Sequence, residues 1–168
     1  TTLTMDRHLG HAFTYDVVAL GHNYRIDEIR SSLGLVQLKK LKQNNKRRED
    51  HTRLYRDSLL DQHIEIEIPF LDSPGQPSYH IFPILLSSNI NRENFMKGMR
   101  SAGIQTSIHY PPIHHFSYYQ QRYSNISLPI TEDISAREVT LPLYSNMNDE
   151  DVMSVVKAVR SVIKEIRD

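Results

Sequence analysis

Regular patterning begins at Ile26. From there to about Leu60, the residues Ile26, Ile29, Leu33, Val36, Leu38 and Leu41 fall on or near one helical face, and Arg30, Lys39, Lys40 and Lys42 lie largely away from it. That 3.6-residue period predicts a long amphipathic helix over residues 26–60, with a break point at Gln43-Asn44-Asn45. Between His63 and Phe70 the period changes to two: Ile64, Ile66 and Ile68 alternate with Glu65 and Glu67, a half-exposed strand ended by Pro69. Asp72-Ser73-Pro74-Gly75-Gln76-Pro77 is turn chemistry. Tyr79 to Leu86 predicts a second strand, in which Pro83 demands an edge position or a bulge.

Further along, Asn91 can cap a short helix through Arg100, with Gly103 in the left-handed conformation that glycine tolerates best. Ile104 to His109 predicts a strand, Thr131 to Val139 a short helix, and Thr140 to Leu143 an extended exit. The last helix is the most clearly written. Asn148 is its N-cap, Asp149, Glu150 and Asp151 lie in the first turn where the helix dipole favours anions, and Val152, Val155, Val156, Val159, Val162, Ile163 and Ile166 form its stripe. Together these elements predict an α+β fold, a small antiparallel sheet packed with helices.

Composition narrows the function classes. At 168 residues one compact unit is expected. Lys plus Arg and Asp plus Glu number 20 each, so no global field draws the chain to nucleic acid or to an anionic membrane. Arg47, Arg48, Arg53 and Arg56 are interspersed with Glu49, Asp50 and Asp57, which reads first as a solvated helix surface and only second as a phosphate patch. The absence of cysteine removes disulfides, thiolate nucleophiles and the common structural zinc sites, and suits a reducing, cytoplasmic compartment. The longest apolar run, Ile81 to Leu86, contains Pro83 and falls far short of the roughly 20 residues of a membrane span. No signal peptide is visible, and the opening Thr1-Thr2-Leu3-Thr4-Met5-Asp6 is expected to mark a piece of a longer or split protein.

Two stretches concentrate polar chemistry. In Gly21-His22-Asn23-Tyr24-Arg25, Asn23 and Arg25 precede the long helix, where side chains and helix N-terminal N–H groups together suit a phosphate. The plainer reading has Asn23 capping the helix and Arg25 pairing with a nearby acid. In His109-Tyr110-Pro111-Pro112-Ile113-His114-His115, two prolines stiffen a loop that can hold donors and an aromatic face toward a sugar, base or phosphoryl group. Three histidines in that loop also suit a metal, although no thiolate exists and no carboxylate lies within the loop. His8 and His11, at helical spacing, read as surface or interface. Phe116, Tyr118, Tyr119 and Tyr123 read mainly as a small core under the loop, and secondarily as a stacking surface for a base or sugar.

With Gln37-Leu38-Lys39-Lys40-Leu41 and Leu141-Pro142-Leu143, these motifs resemble the C-terminal part of the DegT/DnrJ/EryC1/StrS family of pyridoxal-phosphate-dependent sugar aminotransferases. The departures, Ile26, Ser31 and Ser32 where small apolar residues are common, are mild. The resemblance implies the C-terminal small domain of a fold-type I aminotransferase, with residues 1–25 leading from a large cofactor domain and carrying an active-site motif, and residues 26–168 forming the small domain. It implies that Asn23 reaches across a homodimer interface to the phosphate of pyridoxal 5′-phosphate, and that Arg25, His109, Tyr110 and, more weakly, His114 border a nucleotide-sugar site. Leu141-Pro142-Leu143 is structural.

Pyridoxal chemistry requires a Schiff-base lysine, an acid at the pyridine nitrogen and donors for the phosphate. All seven lysines, Lys39, Lys40, Lys42, Lys46, Lys97, Lys157 and Lys164, lie in charged helical stretches, so none suits that role and the lysine is expected upstream of Thr1. The leading expectation is therefore part of an aminotransferase that moves an amino group, with glutamate the expected donor, to a nucleotide-linked keto-sugar, the chain alone being inactive. The alternatives are a non-catalytic dimerising or regulatory module of the same fold, and a histidine-dependent metal protein.

Overall fold

The computed structural model describes residues 22, 24, 26–60, 64–72 and 74–167. The chain divides into two units, Thr1–Leu38 and Lys39–Asp168, with the division falling inside a long helix. That helix, α1 (Glu28–Leu59), runs without interruption, so the expected break at Gln43-Asn44-Asn45 is absent. Lys46 bridges to Asp50 at 2.8 Å and Arg53 to Glu49 at 2.6 Å, and Arg48 bonds Asn45, so i,i+3 and i,i+4 pairs carry the polar middle of the helix. Its N-cap is Asp27, whose Oδ1 accepts the Arg30 N–H at 2.8 Å.

In the first unit Ile26, Ile29, Leu33, Val36 and Leu38 are all largely exposed, Ile29 at 84%. The buried positions of α1 are His51, Thr52, Tyr55 and Leu59, all in the second unit.

The second unit contains a three-stranded antiparallel sheet in the order β1 (Ile66–Glu67), β2 (Phe82–Leu86), β3 (Glu138–Leu141). Only Ile66 and Glu67 of the expected first strand pair with β2. The expected edge strand holding Pro83 is instead the central one. β1 reaches only Leu85 and Leu86, so among the described residues Pro83 pairs with Thr140 alone and has no second neighbour to which its missing N–H would be owed. Residues 104–109 form no strand; Ser107 makes one isolated bridge, to Thr140. The expected helix over 131–139 is shifted: α4 covers Pro129–Arg137, and its place at Glu138 and Val139 is taken by β3. Pro129 supplies the early start, being pre-set for the first helical turn.

Helix α2 (Arg92–Ser101) is capped by Asn91, which accepts the Asn94 N–H at 2.9 Å, and Gly103 follows at φ +79° as expected. A short 3-10 turn (Ile113–His115) and α3 (Ser117–Gln120) precede α4. Helix α5 (Asp149–Arg167) opens with a reciprocal cap between Asn148 and Asp151, at 2.8 and 2.9 Å. Its valine stripe is buried to the last predicted position but Ile166, which is half-buried.

Alternation along the strands sorts side chains by face. Phe82, Ile84 and Leu86 of β2 join Val139 and Leu141 of β3 in one cluster with Tyr55, Phe95, Met99 and the α5 valines. Tyr55 stacks on Phe82 with centroids 4.7 Å apart and donates to the Pro142 carbonyl at 2.9 Å, and burial pushes its phenol well above the ordinary range. Each such large side chain contributes about 1.5–3 kcal/mol on burial. The intervening residues, Glu138 and Thr140, leave a polar pair on the other face, and that pair positions the loop described next.

Candidate functional site: a histidine–tyrosine loop tethered to helix α4 and strand β3

Residues 109–114 are held by four side-chain hydrogen bonds, all to the segment 132–140. The His109 N–H donates to Glu138 Oε2 at 2.9 Å, and His109 Nδ1 lies 2.8 Å from Thr140 Oγ1. Ser135 Oγ donates to the Tyr110 carbonyl at 3.0 Å, and His114 Nε2 lies 2.9 Å from Glu132 Oε1. Helix α4 thus contributes Glu132 and Ser135 one turn apart, and β3 contributes Glu138 and Thr140 on one face. Arg92, at the start of α2, donates to the carbonyl of Ser135 and so holds the end of α4. The loop combines two prolines with these tethers, which is how an irregular segment becomes rigid enough to orient ligand groups. The His109–Tyr110 peptide is cis.

His109 is half-buried and Tyr110 is 71% exposed. His109 and Thr140 line an open groove of about 600 Å³, shared with His80, Ser107, Tyr144 and Ser154. His114 is arranged differently. Its side chain is 8% exposed and its Nε2 is engaged by Glu132, so its evident structural work is to fasten the loop. Glu132 also accepts the Leu128 N–H at 2.7 Å. That bond first, and the His114 bond second, hold its carboxyl below the usual glutamate range.

The fold supplies the carboxylate whose absence from the loop counted against a metal: His114, His115 and Glu132 place ligand atoms within 4.8 Å of one another. Glu132 Oε1 is already the acceptor of two hydrogen bonds there, one from a main-chain N–H, and His115 Nε2 stands off at 3.9 Å. A hydrogen-bonded clamp accounts for the arrangement without an ion.

Asn23 and Arg25, as well as His8 and His11, lie outside the described residues. The aromatic cluster departs from expectation: Phe116, Tyr118, Tyr119 and Tyr123 are 43%, 59%, 39% and 57% exposed and close no core. Tyr118 instead stacks edge-on with Tyr119 and carries the Arg122 guanidinium 4.1 Å from its ring centre, a surface arrangement. No motif in the sequence singles out the tethering residues Glu132, Ser135, Glu138 and Thr140. The polar/apolar alternation of Glu138-Val139-Thr140-Leu141 is the local signal for two of them, and the helical pattern that runs into it from residue 131 masks it.

All seven lysines are exposed; Lys46 pairs with Glu49 and Asp50, and Lys97 with Glu93. None sits in an enclosed environment that would suit it to covalent attachment of pyridoxal phosphate, so the described residues do not by themselves form a holding site for that cofactor. No described helix is long and apolar enough to cross a membrane.

Residues 3–160 match the DegT/DnrJ/EryC1/StrS aminotransferase family. The UDP-4-amino-4,6-dideoxy-N-acetyl-beta-L-altrosamine transaminase of Campylobacter jejuni is 30% identical over 154 residues, covering 90% of this chain and 41% of that protein. An uncharacterized protein of Methanocaldococcus jannaschii is 31% identical over 159 residues, covering 91% and 41%. Among solved structures, Helicobacter pylori PseC, an aminotransferase involved in the biosynthesis of pseudoaminic acid, superposes with a TM-score of 0.83 at 29% identity, over 92% of this chain and 42% of that one. The chain therefore spans about two fifths of the length of these relatives. The family match runs across nearly the whole chain, and the small antiparallel sheet packed with helices is the fold it shares with these solved structures: this chain belongs to the DegT/DnrJ/EryC1/StrS aminotransferase family.

Proposed function

We propose that this chain is the substrate-side part of a pyridoxal-phosphate-dependent sugar aminotransferase, one that moves an amino group from an amino acid, glutamate being the expected donor, to a nucleotide-linked keto-sugar. The observation that carries the reading is the fourfold tethering of the His109–Tyr110 loop beside an open groove, in a chain of this family. Fold alone does not give function, and the reading rests on the site. His109 and Tyr110 offer a ring nitrogen, a phenol and an aromatic face to sugar hydroxyls, and His114 takes part by fastening the loop. The roles assigned to Asn23, toward the cofactor phosphate of a neighbouring subunit, and to Arg25, beside the nucleotide sugar, rest on the motif Gly21-His22-Asn23-Tyr24-Arg25. Pyridoxal phosphate, when bound, supplies the electron sink. The chemical step needs a lysine that the described residues do not offer, so the chain alone is expected to be inactive, and a homodimer in the cytoplasm is its expected setting.

The test is a fusion of this chain to the remaining portion of a family aminotransferase, assayed with glutamate and nucleotide-linked keto-sugars. Pyridoxal-phosphate-dependent turnover that falls at least tenfold on His109→Ala or Tyr110→Phe supports the reading. A fusion that folds and binds the cofactor but turns over equally well without His109 and Tyr110 overturns it. Affinity for partner proteins with none for cofactor or nucleotide sugar would instead favour a non-catalytic dimerising or regulatory module, for which the exposed apolar face of α1 is the supporting observation.

A further inference from the structure

Glu138 and Thr140 lie two residues apart on β3, on the face opposite the core residues Val139 and Leu141. They are 7% and 5% exposed. A carboxylate and a hydroxyl this far from water require partners, and both find them in His109 and in each other. The main-chain N–H of His109 donates to Glu138 Oε2 at 2.9 Å, Thr140 Oγ1 lies 2.5 Å from Glu138 Oε1, and His109 Nδ1 lies 2.8 Å from Thr140 Oγ1.

The protons in this chain of bonds are limited in number. Main-chain N–H can only donate, so Glu138 Oε2 is an acceptor. An ionised carboxylate accepts at both oxygens, and the single Thr140 proton then points to Oε1. The Thr140 oxygen can offer only a lone pair to the imidazole, which obliges Nδ1 to carry the hydrogen. In the neutral ring the remaining lone pair is on Nε2, and Nε2 has no hydrogen-bond partner among the described residues. We propose that Glu138 and Thr140 are positioning residues that fix the Nδ1–H tautomer of His109, presenting Nε2 as a hydrogen-bond acceptor for a hydroxyl of the sugar substrate. The ligand class rests on the aminotransferase reading above; the tautomer does not.

The opposite polarity is chemically distinct. A neutral carboxyl at Glu138 would donate to Thr140, Thr140 would donate to Nδ1, and the hydrogen would sit on Nε2, turning the outward nitrogen from acceptor to donor.

Selective 15N-histidine labelling of the full chain distinguishes the two at a pH of about 8, where an ordinary imidazole is neutral. His109→Gln assigns the resonances. The expected wild-type pattern is a protonated Nδ1 and an unprotonated Nε2, retained in Thr140→Ser. Glu138→Gln should reverse it. The Gln amide oxygen would accept the His109 N–H and its NH₂ would donate to Thr140, whose proton must then turn to Nδ1. Thr140→Val, nearly the same shape, should also release the Nδ1–H preference and serves should Glu138→Gln fail to fold. A wild-type Nε2–H tautomer, or a pattern unmoved in a folded Glu138→Gln or Thr140→Val chain, would overturn the proposal. In the fusion enzyme, Glu138→Gln should raise KM for the sugar about tenfold or more while Thr140→Ser leaves it near wild type; a KM unchanged by a reversed tautomer overturns the acceptor role.

Discussion

Glu132 Oε1 lies 2.9 Å from His114 Nε2 and, at the same time, accepts the Leu128 main-chain N–H at 2.7 Å. One carboxylate oxygen therefore joins the end of the histidine–tyrosine loop to the start of α4, across 18 residues of sequence. Helix formation from Pro129 brings that oxygen back over Leu128, in the manner of a capping side chain. The loop and the helix are consequently ordered together.

Acid should loosen this junction. Glu132 has its carboxyl held below the ordinary 4.5, by the Leu128 N–H first and by His114 second, with His115 also nearby. A depressed folded value favours the ionised form in the folded state. Its contribution is fully present above the unfolded value and is lost as pH falls through the lower, folded one. Urea midpoints of wild type and Glu132→Gln should differ most above the ordinary glutamate range and converge as the pH falls below it. A difference that persists unchanged at the acid end would show that the carboxylate charge does not matter.

Helix packing makes a second prediction at Gly98. A Cβ built there would stand 2.6 Å from Val162 Cγ1 and 3.1 Å from Val162 Cγ2, and Val162 is a stiff β-branched residue 4% exposed on α5. Gly98→Ala gains about 1 kcal/mol in helix propensity but incurs overpacking of about 1–3 kcal/mol. The expected net effect is destabilisation, about 1 kcal/mol, with the sign reversed in a Val162→Ala background. Chemical denaturation of the four proteins of the cycle tests this; additive effects would rule out the contact as the cause.

Tyr55 should be sensitive to loss of a single oxygen. Tyr55→Phe keeps the stacking on Phe82 but leaves the Pro142 carbonyl without its donor, at a cost of about 1–2 kcal/mol. Tyr55→Ala should cost about 3–5 kcal/mol. Because burial raises the phenol's pKa, the neutral form is favoured on folding, and this contribution is present below the ordinary value near 10 and lost as pH rises above it. In a spectrophotometric titration one tyrosine should therefore ionise only with alkaline unfolding, and that late component should vanish in Tyr55→Phe.

The exposed face of α1 makes a fourth prediction. Ile29, Leu33 and Val36 are 84%, 60% and 46% exposed, and an apolar stripe of this kind promotes association. Leu33→Glu with Val36→Glu should lower self-association in sedimentation and reduce dye binding while leaving the far-ultraviolet circular dichroism unchanged. Equal sedimentation of the variant and the wild type would remove α1 as the associating surface.

The sequence determined this chain's elements wherever one period ran long enough and caps agreed with it. α5 has a seven-position stripe and a reciprocal Asn148–Asp151 cap, and α2 has Asn91 before it and Gly103 after it; local hydrogen bonds and burial period suffice there. The motifs around Asn23 and His109 likewise carried the family, since they are contiguous in sequence. Only the tertiary structure decided that Pro83 stands in the central strand, because β1 ends before reaching it. It alone decided that Glu138-Val139-Thr140-Leu141 pairs with β2 and does not extend α4, because ladder bonds to a strand more than fifty residues earlier outweigh local helical preference. The partners of His109 and His114 were illegible for the same reason: Thr140, Glu138 and Glu132 lie 18 to 31 residues away, and only folding brings their protons and lone pairs to the loop.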